Sequence, residues 1–143
     1  MKIRIKRFDT SLPLPQYETD GAVAFDFRVR VPQTILPRGH AYVPLNVAIE
    51  IPRGYTLIMA PRSSLHKRGL IPYNSIGVFD EDFCGDADEY KAILYNVTDE
   101  PVTIEKGARL MQGFLKQYER AEWEEVSEMN RANRGGIGST GVN

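Results

Sequence analysis

The sequence has few of the residues that metal and thiol chemistry most often use. It contains one cysteine, Cys84, and two histidines, His40 and His66. Neither histidine lies in an HxE or HExxH pattern, which argues against a zinc hydrolase or a zinc deaminase. One cysteine cannot close a disulfide within the chain, and a lone thiol is more often a small buried hydrophobe than a nucleophile. With no signal-peptide pattern present, this cysteine usage predicts a cytoplasmic protein.

The sequence also lacks an excess of charge of either sign. Its 18 Lys and Arg residues face 19 Asp and Glu residues, and the net charge is −1. This balance provides no field that would attract nucleic acid or anionic lipid, so we expect neither as a partner. No hydrophobic run approaches the ~20 residues that a membrane span requires. The length of 143 residues suits one domain with a sizeable core.

What the sequence does contain is a hydrophobic period of two. Isoleucines alternate with basic residues in Lys2–Lys6, and the odd positions of Val23–Val29 are apolar, as in half-buried strands. Further strand candidates are Ala41–Ile51, Tyr55–Ala60, Ser75–Phe79, Tyr90–Val97, Val102–Glu105 and Arg109–Tyr118. Turn-forming prolines and glycines separate these segments. We predict an all-β sandwich or barrel, because a parallel α/β sheet would need crossover helices that no segment supplies.

Helical signals are few, and the composition changes near the C-terminus. Ser63–Leu70 is predicted to form a short helix or turn. Ala121–Met129 is rich in Glu, and we interpret it either as a helix or as a solvated connector or edge strand. Residues 131–143 hold four glycines and few large apolar groups. We therefore predict a single β domain at 1–130 followed by a mobile tail.

A turn after one predicted strand carries groups that can bind an anion. Ala60–Leu65 places the guanidinium of Arg62 beside the hydroxyls of Ser63 and Ser64. Together with successive backbone N–H groups, these side chains would point donors at an anion. The alternative is an ordinary serine N-cap beside a surface arginine.

An acidic segment lies between two predicted strands. Gly77–Asp86 contains four acids around two aromatic residues. Carboxylates there could hold a hard cation, or one of them could act as a general base towards a water molecule. The alternative is an acidic hairpin tip whose residues simply favour the turn.

A third candidate lies in the tail. Arg134–Gly141 places arginine, serine and threonine among glycines, as a flap that closes over a polyphosphate would require. It has no P-loop lysine and no helix after it, so it is not a Walker loop. The alternative is a disordered tail.

In this order, the segments resemble the five motifs of the trimeric dUTP pyrophosphatase (dUTPase) family. The matching segments are Ala24–Phe27, Arg62–Ser64, Asn74–Asp80, Gly107–Gln112 and Arg134–Gly141. The resemblance implies a jelly-roll β fold and a homotrimer in which each active site combines three subunits. It also implies Mg²⁺ as cofactor and hydrolysis of dUTP to dUMP and pyrophosphate by attack of water on the α-phosphorus. In such a trimer, residues 131–143 form a flap that closes a neighbouring subunit's site.

The resemblance also implies roles for individual residues. Asp80 would be the catalytic base, and Asp26 would help to organise the magnesium site through water. The substrate-binding residues would be Arg62, Ser63, Ser64 and Gln112 for the phosphates, Asn74, Gly77, Val78 and Phe79 for uracil, and Arg134, Gly136, Ile137, Gly138 and Ser139 in the flap. Asp26 could instead be an outward-facing strand carboxylate. Gln112 could instead be a satisfied core amide.

Several positions depart from the family pattern. Phe83 replaces the tyrosine that packs beneath deoxyribose, and we expect discrimination against ribose to survive. Ile137 replaces the phenylalanine that covers uracil, so stacking worth ~0.5–1.5 kcal/mol is lost and weaker binding is expected. Ala87–Glu89 is an insertion that moves one backbone contact with the base to about Lys91. Ser64 replaces a common glycine, and Ala108 replaces an acid.

Two other functions remain open from the sequence. A dCTP deaminase would share the fold and the trimer. Its catalytic glutamate, however, would stand at Ile93, where an apolar side chain cannot transfer protons. The other possibility is a regulatory protein that uses the same fold to bind a partner or a nucleotide with little catalysis.

Overall fold

Eleven short strands form the regular structure in the computed structural model, which describes residues 1–136. The strands are β1 (Ile5–Arg7), β2 (Phe25–Asp26), β3 (Gln33–Ile35), β4 (His40–Pro44), β5 (Val47–Ile49), β6 (Tyr55–Pro61), β7 (Leu70–Pro72), β8 (Gly77–Phe79), β9 (Lys91–Asn96), β10 (Val102–Ile104) and β11 (Met111–Gln117). The prediction of an all-β fold is confirmed.

Four antiparallel sheets arrange these strands. The largest has the order β2-β11-β6-β8, and a three-stranded sheet has the order β4-β9-β7. Two further pairs, β1-β5 and β10-β3, complete the pattern. Strands distant in sequence lie side by side, as β2 and β11 do, because alternating apolar residues from all sheets must share one core. That core consists of Phe27, Val29, Ile35, Val43, Leu45, Val47, Ile49, Ile51, Leu57, Met59, Leu65, Leu70, Tyr90, Ala92, Leu94, Ile104, Leu110 and Met111.

Some predicted strand bounds were wrong. Ala41–Ile51 forms two strands, because Asn46 adopts a left-handed φ of 69° between β4 and β5. Only Phe25–Asp26 of the predicted Val23–Val29 pairs as a strand, and Val23 is exposed. The first strand begins at Ile5 rather than at Lys2.

The helical predictions had mixed outcomes. Leu65–Arg68 forms a 3-10 helix within the predicted Ser63–Leu70, and it ends at Gly69, whose φ is 68°. Ala121–Met129 is neither helix nor strand, so the solvated connector is the correct interpretation, and Trp123 is 92% exposed there. Within residues 1–136, no helix is long and apolar enough to cross a membrane.

Gly113 allows close packing between the middle strands of the largest sheet. It pairs with Phe25 of β2 and with Met59 of β6. A Cβ atom at this position would lie 2.7 Å from the Phe27 ring and 3.3 Å from Leu57. The absence of a side chain therefore brings β2 close enough to β11 to set Asp26 opposite Gln112.

We expect Gly113→Ala to lower the free energy of unfolding by about 1–3 kcal/mol, because the added methyl overpacks the core. Urea denaturation measures the change. Gly21→Ala is the control, since a Cβ there meets nothing within 4 Å. Equal stabilities for the two variants would show that the core relaxes around the extra methyl group.

Candidate active site

The buried carboxylate of Asp26 pairs with two arginines at one end of the largest sheet. Asp26 is 6% exposed, and its Oδ1 lies 3.0 Å from Nε of Arg62. Its Oδ2 accepts a hydrogen bond of 3.2 Å from Nη1 of Arg109. The outward-facing alternative for Asp26 is therefore wrong. A buried carboxylate between two guanidiniums fixes their positions, since the pairing compensates the cost of burial.

Gln112 and Arg62 lie side by side in this cluster. Gln112 is opposite Asp26 on one side and opposite Ala60 on the other. Its Nε2 donates to the Pro61 carbonyl at 3.1 Å, and the side chain is only partly buried. One amide N–H and the amide carbonyl remain for a ligand. Arg62 donates to the Arg109 carbonyl through Nη1 at 3.3 Å, which leaves further guanidinium donors.

Ser63 and Ser64 follow Arg62 and are both exposed. Ser64 precedes the 3-10 helix, but its side chain makes no capping hydrogen bond. Ser64 therefore occupies the N-cap position that the alternative predicts, but its side chain does not cap the helix. The last residues of β6 and the first residues of β11 lie side by side next to Asp26, and this region carries Arg62, Ser63, Ser64 and Gln112.

Glu18 extends the cluster towards solvent. Its carboxylate contacts Nη1 of Arg109, the nitrogen that also binds Asp26. The hydrogen bond from Arg109 lowers the pKa of Glu18 below its ordinary value, and the charges of Arg28 and Arg62 act in the same direction. Because the folded-state pKa is the lower one, the pair stabilises the fold fully above the ordinary glutamate pKa. That stabilisation is lost as the pH falls through the folded-state pKa.

We expect the carboxyl carbon of Glu18 to titrate below 4.5, the ordinary value, in a carbon-detected NMR titration. In Arg109→Gln, the midpoint should move up towards that value, because the charged donor is gone. A midpoint that is the same in both proteins would contradict the Arg109–Glu18 contact.

The segment after β7 forms a second group of predicted residues. Asn74 and Val78 are exposed, and Gly77 is buried where a Cβ would meet Met59 and Phe79. Asn74 Nδ2 donates to the Ile76 carbonyl at 3.4 Å. These residues form an edge of the largest sheet, because β8 pairs only with β6 in the described part of the chain.

A stack of three aromatic rings supports β8 and the turn that follows it. Tyr90 is fully buried, and its ring centroid lies 4.0 Å from that of Phe79 and 5.9 Å from that of Phe83. Burial raises the pKa of the Tyr90 phenol well above its ordinary value. Phe83 is 38% exposed, so its ring offers an apolar surface beside β8.

The backbone N–H and C=O groups of Lys91 are unpaired on the β7 side of β9 within residues 1–136. The Ile93 carbonyl accepts from Tyr73 N at 2.8 Å, so the backbone of Ile93 faces away from β4. Lys91 is two residues earlier in the same strand, and its backbone faces the same side. β7 pairs with β9 only from Leu94 to Asn96. Among residues 1–136, no strand pairs with Lys91 on that side.

The structure does not bring Asp80 to the arginine cluster within one chain. Asp80 is exposed and directly follows Phe79, which lies opposite Leu57 of β6. Gln112 lies opposite Ala60. From Thr56, the neighbour of Leu57, to Ala60 the strand rises about 13 Å. Asp80 therefore lies at the opposite end of β6 from the arginine cluster, whereas Gly77 at the start of β8 lies opposite Met59, next to Ala60.

The C-terminal predictions are only partly within the described residues. Arg134 and Gly136 are exposed and belong to no helix or strand. Ile137, Gly138 and Ser139 lie outside the described residues. The structure therefore brings neither Arg134 nor Gly136 to either group.

Arg109, Glu18 and Glu81 were missed by the sequence analysis. Arg109 lies in the same motif as Gln112, and its spacing of three residues from that glutamine was the available signal. Glu18 carries no local signal, because its contact depends on strand pairing. Glu81 lies in the acidic segment, but nothing in the sequence distinguishes it from the acids beside it. No group of three His, Cys, Asp or Glu side chains that could hold a metal ion occurs in the described part of the chain.

The fold and these groups define a class of protein before any comparison. It is an antiparallel β protein that offers guanidinium and amide donors to an anion at one end of a sheet. At the other end it presents an exposed carboxylate in the turn after an edge strand.

Comparisons with known proteins identify the family. The family model described as dUTPase matches residues 10–141. The chain is 35% identical to the deoxyuridine 5'-triphosphate nucleotidohydrolase of Dictyoglomus turgidum and 38% identical to that of a Hydrogenobaculum species, with 99% of each chain covered in both comparisons. The chain belongs to the dUTPase family.

Solved structures agree with this assignment. The dUTPase of Streptococcus mutans superposes with a TM-score of 0.76 at 28% identity, covering 83% of this chain and 98% of that one. The Staphylococcus bacteriophage 80alpha dUTPase with dUPNHPP superposes with a TM-score of 0.86, covering 99% of both chains. At 19% identity, the second likeness shows the fold alone. The predicted dUTPase-type fold is confirmed.

Proposed function

We propose that this protein is a dUTP diphosphatase, which hydrolyses dUTP to dUMP and pyrophosphate. The observation that carries the proposal is the dUTPase family match across residues 10–141. Both relatives named above are deoxyuridine 5'-triphosphate nucleotidohydrolases. The two groups of polar side chains supply complementary parts of this chemistry.

The arginine cluster would bind the triphosphate. Arg62 and Gln112 retain free donors, and the Ser63 and Ser64 hydroxyls are exposed next to them. Guanidinium and hydroxyl donors are suited to phosphate oxygens because charge-assisted hydrogen bonds are the stronger ones. Neutralising the phosphate oxygens makes the α-phosphorus open to attack by a nucleophile.

Asp80 would orient the attacking water and accept its proton. Its carboxylate is exposed at the end of an edge strand, where a water and a nucleotide can reach it. The oxygen of the water would form a bond to the α-phosphorus while the bond to the bridging oxygen of pyrophosphate breaks. The products would be dUMP and pyrophosphate, and the proton would pass to Asp80.

β8 and the residues beside it would select the base and the sugar of the nucleotide. Asn74, Gly77, Val78 and Phe79 line an edge strand, and the Lys91 backbone is free on the side facing it. Backbone N–H and C=O groups of this kind can pair with the polar edge of uracil. The Phe83 ring, held by its stack on Tyr90, would pack beneath deoxyribose and leave little space for a 2′-hydroxyl.

The separation of Asp80 from the arginine cluster along β6 supports a homotrimer with shared sites. Within one chain, Asp80 and Gln112 lie at opposite ends of that strand. A triphosphate bound to one chain's arginines would therefore meet Asp80 of a second chain. Residues 131–143 would act as the flap for a neighbouring subunit, with Arg134, Gly136, Ile137, Gly138 and Ser139 over the substrate.

The residues fit a magnesium ion that is held mainly by the substrate. Mg²⁺ commonly keeps several waters and binds one or two carboxylates together with phosphates, so the lack of a three-carboxylate group among residues 1–136 is compatible with it. Asp26 uses one lone pair of each oxygen for an arginine, and the remaining lone pairs can accept from a metal-bound water. When bound, the ion would neutralise phosphate charge. We place the enzyme in the cytoplasm, where its free, exposed Cys84 would remain reduced.

The experiment that tests the function is pyrophosphate release from dUTP with Mg²⁺, run beside dCTP, dTTP and UTP. Ammonia is measured in the same samples. Release confined to dUTP is the expected result. Ammonia from dCTP would instead identify a deaminase of the same fold. Binding of dUTP without release of pyrophosphate would identify a nucleotide-binding regulatory protein.

A further inference from the structure

Glu81 joins three separate elements next to Asp80. Its Oε2 accepts a hydrogen bond of 3.1 Å from the backbone N–H of Gly54, in the turn before β6. The same oxygen accepts one of 3.2 Å from the Tyr118 hydroxyl, just after β11. Tyr118 N in turn donates to the Gly54 carbonyl at 3.1 Å. We call these three residues the Glu81 clamp.

Further contacts fix the backbone on both sides of Asp80. The Thr56 hydroxyl donates to the Phe79 carbonyl at 2.8 Å. The Asp80 carbonyl accepts from Phe83 N at 3.3 Å. With Glu81 anchored next in sequence, the residues before and after Asp80 are both held by side chains, while the Asp80 carboxylate itself is exposed.

The clamp also lies where the C-terminal segment leaves the sheet. Tyr118 is half-buried, whereas the residues from 119 to 136 are all exposed. The turn that carries Asp80 is therefore tied to the last anchored residue of the same chain before that segment begins.

We propose that Glu81 is a positioning residue for the reaction, which holds Asp80 in place through Gly54 and Tyr118. The inference rests on the proposed function, in which Asp80 is the base. A base must lie within hydrogen-bond reach of the water it activates, and a displacement of about 1 Å can lower a rate roughly 100-fold. Because Glu81 binds Gly54 at the start of β6 and the arginine cluster lies at the other end of that strand, its loss should affect turnover rather than substrate binding.

The test compares Glu81→Ala, Glu81→Gln and Tyr118→Phe. We expect Glu81→Ala to lower kcat by about 10- to 100-fold with unchanged KM and unchanged Kd for a non-hydrolysable dUTP analogue. Glutamine keeps a carbonyl acceptor for both donors, so Glu81→Gln should recover most of kcat. Tyr118→Phe removes one of the two donors and should fall between them. Glu119→Ala, an exposed acid next to Tyr118, is the control and should behave as wild type.

An unchanged kcat in Glu81→Ala would overturn the proposal. So would a weaker Kd with Glu81→Gln no better than Glu81→Ala, because that pattern indicates a general structural role. Hydrogen exchange at the Phe83 amide gives a readout without activity, and it should be faster in Glu81→Ala than in wild type. An inactive wild type would contradict the proposed function, whereas equal exchange rates in the two proteins would contradict the clamp.

Discussion

Asp80→Asn is expected to lower kcat for dUTP hydrolysis by roughly 10²- to 10⁴-fold, the usual contribution of a general base. The amide has nearly the same shape as the carboxylate but cannot accept the proton of the attacking water. The neighbouring backbone is fixed by the Thr56 and Glu81 contacts. The turn that carries Asp80 should therefore keep its conformation. Steady-state kinetics measure kcat, and calorimetry with a non-hydrolysable dUTP analogue should give an unchanged Kd.

Asp86→Asn is the matched control for that variant. It changes an exposed acid in the same loop, whose surface ion pair with Lys6 should contribute little. Normal kcat is therefore expected for Asp86→Asn. A kcat close to wild type in Asp80→Asn would remove Asp80 from the mechanism and direct attention to the other acids of the loop.

Mixing variants tests whether Asp80 and the arginines of different chains share a site. Arg62→Gln keeps a hydrogen-bond donor for Asp26 but loses the charge for the phosphates, so it should also be nearly inactive. When Asp80→Asn and Arg62→Gln chains are unfolded and refolded together, some sites receive an intact Asp80 from one chain and an intact Arg62 from another. Activity should then rise well above that of either variant. A mixture no more active than its components would show that each site is complete within one chain.

The sequence predicted the fold class well because its signals are local. Alternating apolar residues and frequent prolines and glycines depend only on neighbours in the chain, and they predicted strands within β6, β8, β9, β10 and β11. The break inside Ala41–Ile51 was missed for the opposite reason. Asn46 turns there because its side chain binds Asp9 and its N–H binds Glu89, contacts that no local pattern reveals.

The sequence also predicted only part of the candidate site. Arg62 and Gln112 lie together as the motifs implied, yet the period of two could not show that Asp26 is buried. That burial requires Arg62 and Arg109 to arrive from β6 and from the turn before β11. Asp80 was predicted from its motif, whereas the contacts of Glu81 beside it exist only once Gly54 and Tyr118 are folded against it. The missing part is therefore the long-range pairing, which one sequence does not contain.

Glu89→Gln is expected to lower the free energy of unfolding by about 1.5–3 kcal/mol, the usual contribution of a hydrogen bond to a charged group. The Glu89 side chain is 5% exposed. It binds Arg30 through two hydrogen bonds of 2.7 Å and accepts a third of 2.9 Å from Asn46 N. The hydrogen bonds that Arg30 donates to Glu89 are the main cause of the raised pKa of Arg30. An amide would turn a donor towards the guanidinium and leave its charge unpaired.

Urea denaturation of Glu89→Gln and of Glu50→Gln separates the effect of burial from that of pairing. Glu50 forms an ion pair of 3.0 Å with Arg4 at the surface, and such pairs contribute about 0–1 kcal/mol. Glu89 also directly precedes Tyr90, whose ring supports Phe83. We therefore expect Glu89→Gln to raise KM for dUTP at temperatures where the protein is still folded. A loss of stability no larger than that of Glu50→Gln would show that water replaces Glu89 around Arg30. In that case KM for dUTP should not change.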